Sequence, residues 1–311
     1  MTSRKTIIFT HPDCLDHLTD RDHPECPERL KAVWMALDGP AFAQLEWREA
    51  PLAAIDDIRL VHPDAYIDTV LKAIPTSGFW NLDPDTVVSP GSRTAAFRAC
   101  GAVCAAVDAV TSEAGTNAFC AVRPPGHHAE ACKAQGFCLF NNVAVGAFAA
   151  RHRHGLARIA IIDLDLHHGN GTQSIFWNEP EVLYASLHQW PFDPWTGAED
   201  ERGAHDNILN MPLKAGTDGA TFRSVVEEKL MPRLQRFEPQ LIMVSAGFDA
   251  HRDDPLGGLA LSSDDYRWIA ARLRRQADSS CAGKMVAVLE GGYNLQALGA
   301  SVAAFVSAML P

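Results

Sequence analysis

Residues 158–172, RIAIIDLDLHHGNGT, constrain the fold of this chain more than any other stretch. The run opens with the β-branched and apolar residues Ile159 to Ile162, the pattern of a strand buried on both faces of a parallel sheet. It then turns polar, with Asp163, Asp165 and His167 alternating with Leu164 and Leu166. If the backbone stays extended, period-2 geometry places the three polar side chains on one face. Two carboxylates and an imidazole at a buried strand end repel and desolvate one another unless a cation joins them. Asp and His are ordinary zinc ligands, so the pattern predicts a metal site. The plainer reading is a strand end whose polar groups simply face solvent. Gly169 to Thr172, a tight polar turn directly behind it, weighs against that.

The remainder of the chain predicts what surrounds this strand. At 311 residues, with 47% hydrophobic residues, it can bury one large core, and a single domain over residues 1–311 is expected. A formal net charge of −11 argues against general binding to nucleic-acid backbones and suits a cationic small or peptidic substrate. The N-terminus lacks a long apolar signal core, and no unbroken apolar run is long enough for a membrane span. Eight cysteines are scattered without a CxxC pair and read as reduced thiols of a cytoplasmic protein.

Taken in order, Thr6–Thr10 reads as a first strand. Residues 11–28 crowd His11, Asp13, Cys14, Asp16, His17, Asp20, Asp22, His23, Glu25 and Cys26 together. Such a His/Cys cluster could hold a structural zinc, but the spacing is irregular and a polar loop is preferred, its acids helping to attract a cationic substrate. Pro27 opens a helix to Leu37 with Val33, Trp34 and Leu37 as its stripe. Residues 60–66 lead into another helix, and 80–90 form a loop carrying Asp83 and Asp85 exposed near its centre. An Ala-rich helix follows over 94–110, then a strand over 118–122, the rigid loop RPPGHH with His127 and His128, and a helix to His152. Strands are expected at 182–187, 241–245 and 285–289, and helices at 219–237, 264–277 and 295–310. An aromatic loop, QWPFDPWTG, follows His188; it forms either the wall of a slot or a packed hydrophobic loop.

Strands alternating with helices imply an α/β fold, a mostly parallel central sheet with helices on both faces. Ligands of such sheets bind beyond the carboxyl ends of the strands. Polar clusters follow five of the expected strands: His127/His128, Asp165/His167, Ser186/His188, Asp249 and Tyr293. Asp165, His167 and Asp249 supply three metal ligands and leave a coordination place open, the pattern of a catalytic zinc. His127 and His128 are candidate acid/base groups, and Tyr293 a candidate oxyanion donor. The chemistry implied is metal-assisted amide hydrolysis.

The motifs RPPGHH, GFCLFNN, DLDLHHGNGT, SAGFDAH and EGGYN, with HPECPERL before them, closely resemble the zinc-dependent histone deacetylase superfamily, in its class II-like branch. The resemblance runs from about Phe9 to the C-terminus. It implies the arginase/deacetylase fold and one catalytic zinc on Asp165, His167 and Asp249. It implies His127 paired with Asp163, His128 as the main general acid/base, and Asn170 as the partner orienting His128. It implies potassium beside the zinc, on Asp163, the carbonyls of Asp165, His167 and Leu187, and the Ser186 hydroxyl. A second potassium would use carbonyls near Phe176, Glu179 and Val182. The acyl-lysine tunnel would be lined by Gly136, Phe137 and an aromatic of the 192–195 loop such as Phe192, with Asp85 gripping substrate at the rim. Tyr293 stands where some vertebrate class II members carry His and deacetylate poorly, so deacetylase activity is expected here.

Leu256 matches a gate position that is acidic in the superfamily's polyamine deacetylases, and an apolar gate favours acyl-lysine or other neutral acyl amides. Removal of acetyl or short acyl groups from lysine side chains or related amines is therefore expected. Acetylpolyamine hydrolysis is the first alternative. An arginase-type binuclear manganese site is disfavoured because Gly169 and His251 stand where further carboxylates belong. A silent acyl-lysine binding module is disfavoured by Tyr293 and both histidines. Oligomeric state, natural substrate and any chromatin partner leave no mark in the sequence.

Overall fold

Eight strands form one sheet in which every ladder is parallel. The structure is a computed structural model, describing residues 4–311. The chain begins with β1 (Lys5–Thr10), α1 (Pro27–Leu37), β2 (Glu46–Glu49), α2 (Ile55–Arg59) and α3 (Asp64–Ala73). A two-strand hairpin, β3 (Trp80–Asn81) with β4 (Val87–Val88), precedes α4 (Ser92–Ser112), β5 (Thr116–Cys120) and α5 (Asn142–His154). Then come β6 (Ile159–Asp163), α6 (Asn170–Phe176), β7 (Val182–Gln189) and β8 (Ile208–Leu213). The chain closes with α7 (Gly219–Val225), α8 (Met231–Phe237), β9 (Leu241–Ala246), α9 (Ser263–Ser280), β10 (Met285–Leu289) and α10 (Leu295–Met309). Residues 226–230 are a π-helical turn that joins α7 to α8, so the single helix expected over 219–237 is continuous.

Spatial order across the sheet is β2-β1-β5-β10-β9-β6-β7-β8. The four central strands are apolar and buried along their length, as parallel strands covered on both faces must be. α4 is long and apolar enough to cross a membrane, but most of it is buried, and it packs on β1, β5 and α5. Its alanines and cysteines let it lie close to the sheet.

The expectations that failed lie at the sheet edges and in loops. β8 was not anticipated because Asn210 and Pro212 interrupt its apolar pattern, and Pro is tolerated there because the strand is at an edge. β2, at the other edge, is four residues long and mostly charged, a sequence that protects an edge rather than filling a core. The 80–90 loop contains the β3–β4 hairpin, with Asp83 half-buried and Asp85 exposed. Ser186 and His188 lie inside β7 rather than beyond it. The run after β6 does not stay extended: the strand ends at Asp163 and the backbone bends through 165–167. Asp163 therefore faces a different partner from Asp165 and His167.

Candidate active site

The carboxyl ends of the adjacent strands β5, β10, β9 and β6 bring four of the five polar clusters together. Asp165 and His167 come from the bend after β6, and Asp249 from the bend after β9. One ligand atom from each lies within 4.8 Å of the others. His167 Nδ1 is 3.2 Å from Asp165 Oδ1 and 3.1 Å from Asp249 Oδ2. Each carboxylate is aimed by backbone N–H donors. Asp165 Oδ1 accepts from His167 N at 2.9 Å, and its Oδ2 from Gly291 N at 2.8 Å. Asp249 Oδ1 accepts from Leu166 N at 2.8 Å. A Cβ on Gly291 would collide with both carboxylates, so only glycine lets the β10 exit come this close.

The electrostatics of this trio call for a cation. Burial pushes the Asp249 carboxyl up to about 7, with the Asp165 charge adding to it. Burial opposes the charge on Asp165 as well, but His127 and His167 hold that carboxyl well below its usual range. Burial would lower His167, yet its bonds to the two carboxylates raise it to about 10. Two buried acids thus share one imidazolium. The donor set and its backbone-fixed geometry fit a divalent ion.

His127 and His128 follow β5, their ring centroids 4.0 Å apart. His127 Nδ1 is 3.1 Å from Asp163 Oδ2, which also accepts from the Tyr184 hydroxyl at 3.0 Å. His128 Nδ1 is 2.8 Å from Asn170 Oδ1, and Asn170 Nδ2 donates to Glu130. An amide oxygen there assigns the His128 proton to Nδ1 and leaves Nε2 unprotonated. Burial opposes charge on both rings, but Asp163 and Asp165 raise His127 well above the usual imidazole range. Burial and the neighbouring His127 and His167 charges drive His128 well below it. Two adjacent histidines are therefore pushed in opposite directions.

Tyr293 and Phe137 meet edge to face, centroids 5.9 Å apart, and Phe192 lies 5.5 Å from His167. Trp195, farther along the same loop, is 69% exposed, so Phe192 is the aromatic that packs at the site. Gly136 has φ +55° and packs directly on the His128 ring, where a side chain would clash. Phe137 N donates to Thr86 Oγ1, which donates to Asp85 Oδ1. Partial burial and the adjacent Asp83 push the Asp85 carboxyl up to about 6. Burial keeps the Tyr293 phenol protonated, its pKa well above the ordinary value. Asp254 ties Tyr293 to the expected gate: its carboxylate accepts from Tyr293 N at 2.7 Å and from Leu256 N at 3.0 Å. Leu256 is half-buried.

Of the donors expected for the first potassium, Asp163 is in register with Ser186 on the neighbouring strand, Leu187 follows Ser186 in β7, and Asp165 and His167 lie in the bend after β6. The Ser186 hydroxyl is also 2.9 Å from His188 Nδ1. The carbonyls of Phe176, Glu179 and Val182, expected for a second potassium, do converge, around the side-chain nitrogen of Asn207 at 2.8, 3.2 and 3.2 Å. The Asn207 Oδ1 has no partner among the described residues.

Among the described residues, Asp165, His167 and Asp249 are the one set of three converging ligands, and no residue of the N-terminal cluster belongs to it. Nor does Glu25 attract substrate. It is fully buried and accepts from Arg29 and from both Nε and Nη2 of Arg123. Arg29 in turn donates to the carbonyls of Glu290 and Gly292, and its guanidinium lies 4.9 Å over the Tyr293 ring. His23 completes the rim, 3.0 Å from the Asp85 carbonyl and edge-on to Phe137. The i, i+4 pair Glu25/Arg29 was the signal available in the sequence for this support.

Residues 23–309 match the family model described as histone deacetylase domain. The chain is 41% identical to a histone deacetylase-like amidohydrolase of Pseudomonas aeruginosa, over 88% of this chain and 73% of that one. It is 36% identical to a probable deacetylase of Archaeoglobus fulgidus, over 94% of this chain and 82% of the relative. The crystal structure of the HDA15 HD domain superposes with a TM-score of 0.92 at 32% identity, covering 99% of this chain and 90% of that one. The parallel sheet, the acid/histidine trio at its rim and these similarities agree: the chain belongs to the histone deacetylase domain family of hydrolases.

Proposed function

We propose that the protein is a zinc-dependent deacylase that hydrolyses the amide of acetyl- or short-acyl-lysine, or of a related small acylated amine. The convergence of Asp165, His167 and Asp249 beside the unprotonated face of His128 carries this reading. Zinc held by those three residues would polarise the acyl carbonyl and acidify the attacking water. Phe137 and Phe192 would flank the aliphatic stem of the substrate, and Asp85 at the rim would accept hydrogen bonds from its backbone. His128 Nε2 takes the proton of the water as the new C–O bond forms. The Tyr293 hydroxyl donates to the developing oxyanion. His128 then returns the proton to the nitrogen as the C–N bond breaks, releasing a carboxylate and a free amine. His127, kept cationic by Asp163, adds positive charge beside the forming oxyanion. Potassium on Asp163, the Ser186 hydroxyl and the carbonyls of Asp165, His167 and Leu187 would steady the bend after β6.

The net charge of −11 favours a second substrate class, the acetylpolyamines. The apolar Leu256 at the gate favours the first. The test is metal analysis together with hydrolysis of acetyl-lysine peptides and acetylpolyamines, side by side. One zinc per chain is expected, with activity lost on chelation, restored by zinc, and higher on acetyl-lysine. His128→Ala should retain metal and lose activity by about 10²–10⁴-fold, the usual worth of a positioned acid/base. Full activity in His128→Ala, or a metal-loaded protein without turnover, overturns the mechanism. A preference for acetylpolyamines overturns only the substrate class.

A further inference from the structure

We propose that Glu290 is a positioning residue that braces the histidine pair against the tyrosine loop, through the hydrogen-bond acceptor at the end of its side chain. Glu290 is the first residue after β10 and is fully buried. Its Oε2 accepts from two consecutive backbone donors, Gly126 N at 2.7 Å and His127 N at 3.1 Å. The carbonyl side of the same turn is held elsewhere, by Ala129 N on Gly126 O and Thr172 N on His127 O. The side chain of Glu290 is thus the acceptor for both N–H groups that enter the histidine pair.

The backbone around Glu290 is tied just as closely to the other half of the site. Glu290 N donates to Ala246 O at the end of β9, and its carbonyl accepts from Arg29. The next residue, Gly291, donates to the Asp165 carboxylate, and Phe248 N donates to Gly291 O. Two residues farther on is Tyr293. One four-residue exit therefore fixes a ligand carboxylate, presents the phenol and, through Glu290, sets the entry to His127 and His128. Relative placement of these groups decides the rate, because displacement of a proton-transfer group by about 1 Å costs roughly 10²-fold.

The remaining oxygen of Glu290, Oε1, has no partner among the described residues. Burial pushes the carboxyl up to about 7, against the His127 charge and the Gly126 N–H, which lower it, while the Asp163 charge adds to the rise. The His127 ring lies near but makes no hydrogen bond to this carboxyl, which offers a single oxygen to two neutral backbone donors. The brace therefore works by shape and acceptor, and an amide should replace it.

This role rests on the acid/base assignment of His128. The experiment compares wild type with Glu290→Gln, Glu290→Met and Glu290→Asp on an acetyl-lysine peptide, as zinc-loaded full-length proteins. Glu290→Gln keeps an acceptor at the same reach and should retain kcat within about threefold. Glu290→Met keeps the length without the acceptor, and Glu290→Asp keeps the acid without the reach. Both should lower kcat by about 10²-fold with KM and zinc content near wild type. A fall in Glu290→Gln equal to that in Glu290→Met shows that charge matters and overturns the brace. So does wild-type kcat in Glu290→Met or Glu290→Asp. If Glu290→Met does not fold, Glu290→Asp against Glu290→Gln decides. Absence of turnover in wild type sinks the hydrolase reading itself, and the brace with it; wild-type turnover with indifferent variants sinks the brace alone.

Discussion

His127 and His128 show how little sequence distance matters to a titrating group. One is bonded to a buried carboxylate and raised, while its neighbour is bonded to an amide and lowered. Both were legible in the sequence, as were Asp165, His167 and Asp249, because each sits in a short motif after an apolar run. Their supports were not. Glu290 reaches Gly126 and His127 across more than 160 residues, and Arg29 reaches the Gly292 carbonyl across 263. No local pattern announces such a bond. Asn207 was missed for the same reason, since its amide fills a ring of carbonyls that the sequence alone offered to potassium. Asn207→Ala takes their side-chain donor from those carbonyls, two of which keep a backbone donor, at a cost of about 1 kcal/mol. The variant should melt lower than wild type in choline chloride and regain more stability than wild type does when potassium replaces choline. Equal potassium responses in the two proteins would refute the substitution of amide for ion.

Among the elements, the central strands were legible and the edges were not. β5, β6, β9 and β10 are apolar and buried on both faces, a demand that leaves its mark on every residue. β2 and β8 have neighbours on one side only, and charge, Asn and Pro enter them freely. Helix boundaries were read to within a few residues where caps exist. α9 begins with a full capping box: the Ser262 side chain caps the first turn while the Asp265 carboxylate accepts from Ser262 N at 2.8 Å. Asp265 is also held by Arg223 of α7, so this cap joins two helices. Ser262→Ala should cost about 1 kcal/mol, read as a lower urea midpoint with unchanged slope. An unchanged midpoint would show that the Arg223–Asp265 contact holds the helix end without the hydroxyl.

For the molecule as a whole, the fold class was legible because alternating strands and helices admit few arrangements. The pH range of its stability was not, because that depends on burial. His17, His62 and His188 have pKa values lowered from 6.5 to about 4 by burial. Below pH 6.5 the unfolded chain takes up protons there that the folded chain refuses, so stability falls as pH drops from 6.5 through 4. Glu25 adds a second loss. Burial would raise its carboxyl, but the Arg123 charge holds it at about 2, so its contribution is present above 4.5 and disappears between 4.5 and 2. Glu290, raised to about 7, acts in the opposite sense, its contribution fading as pH rises from 4.5 through 7. His167, raised to about 10, and Asp249, raised to about 7, act in that same sense, so the histidine effect is read on one residue: His62→Gln should lose less melting temperature than wild type between pH 7.5 and pH 5. An equal loss in the two proteins would contradict the assignment.

The place of β10 has a consequence for how the chain comes together. It is the last strand in sequence, yet it sits between β5 and β9 in the middle of the sheet. Until it arrives, three strands on one side and four on the other have no ladder to join them, and each group presents a raw apolar margin. On a ribosome both halves are made before the strip that welds them, so the nascent protein is most prone to stick to its neighbours until β10 has emerged. The same strip leads directly into Gly291 and Tyr293, so joining the halves and finishing the catalytic rim are a single event.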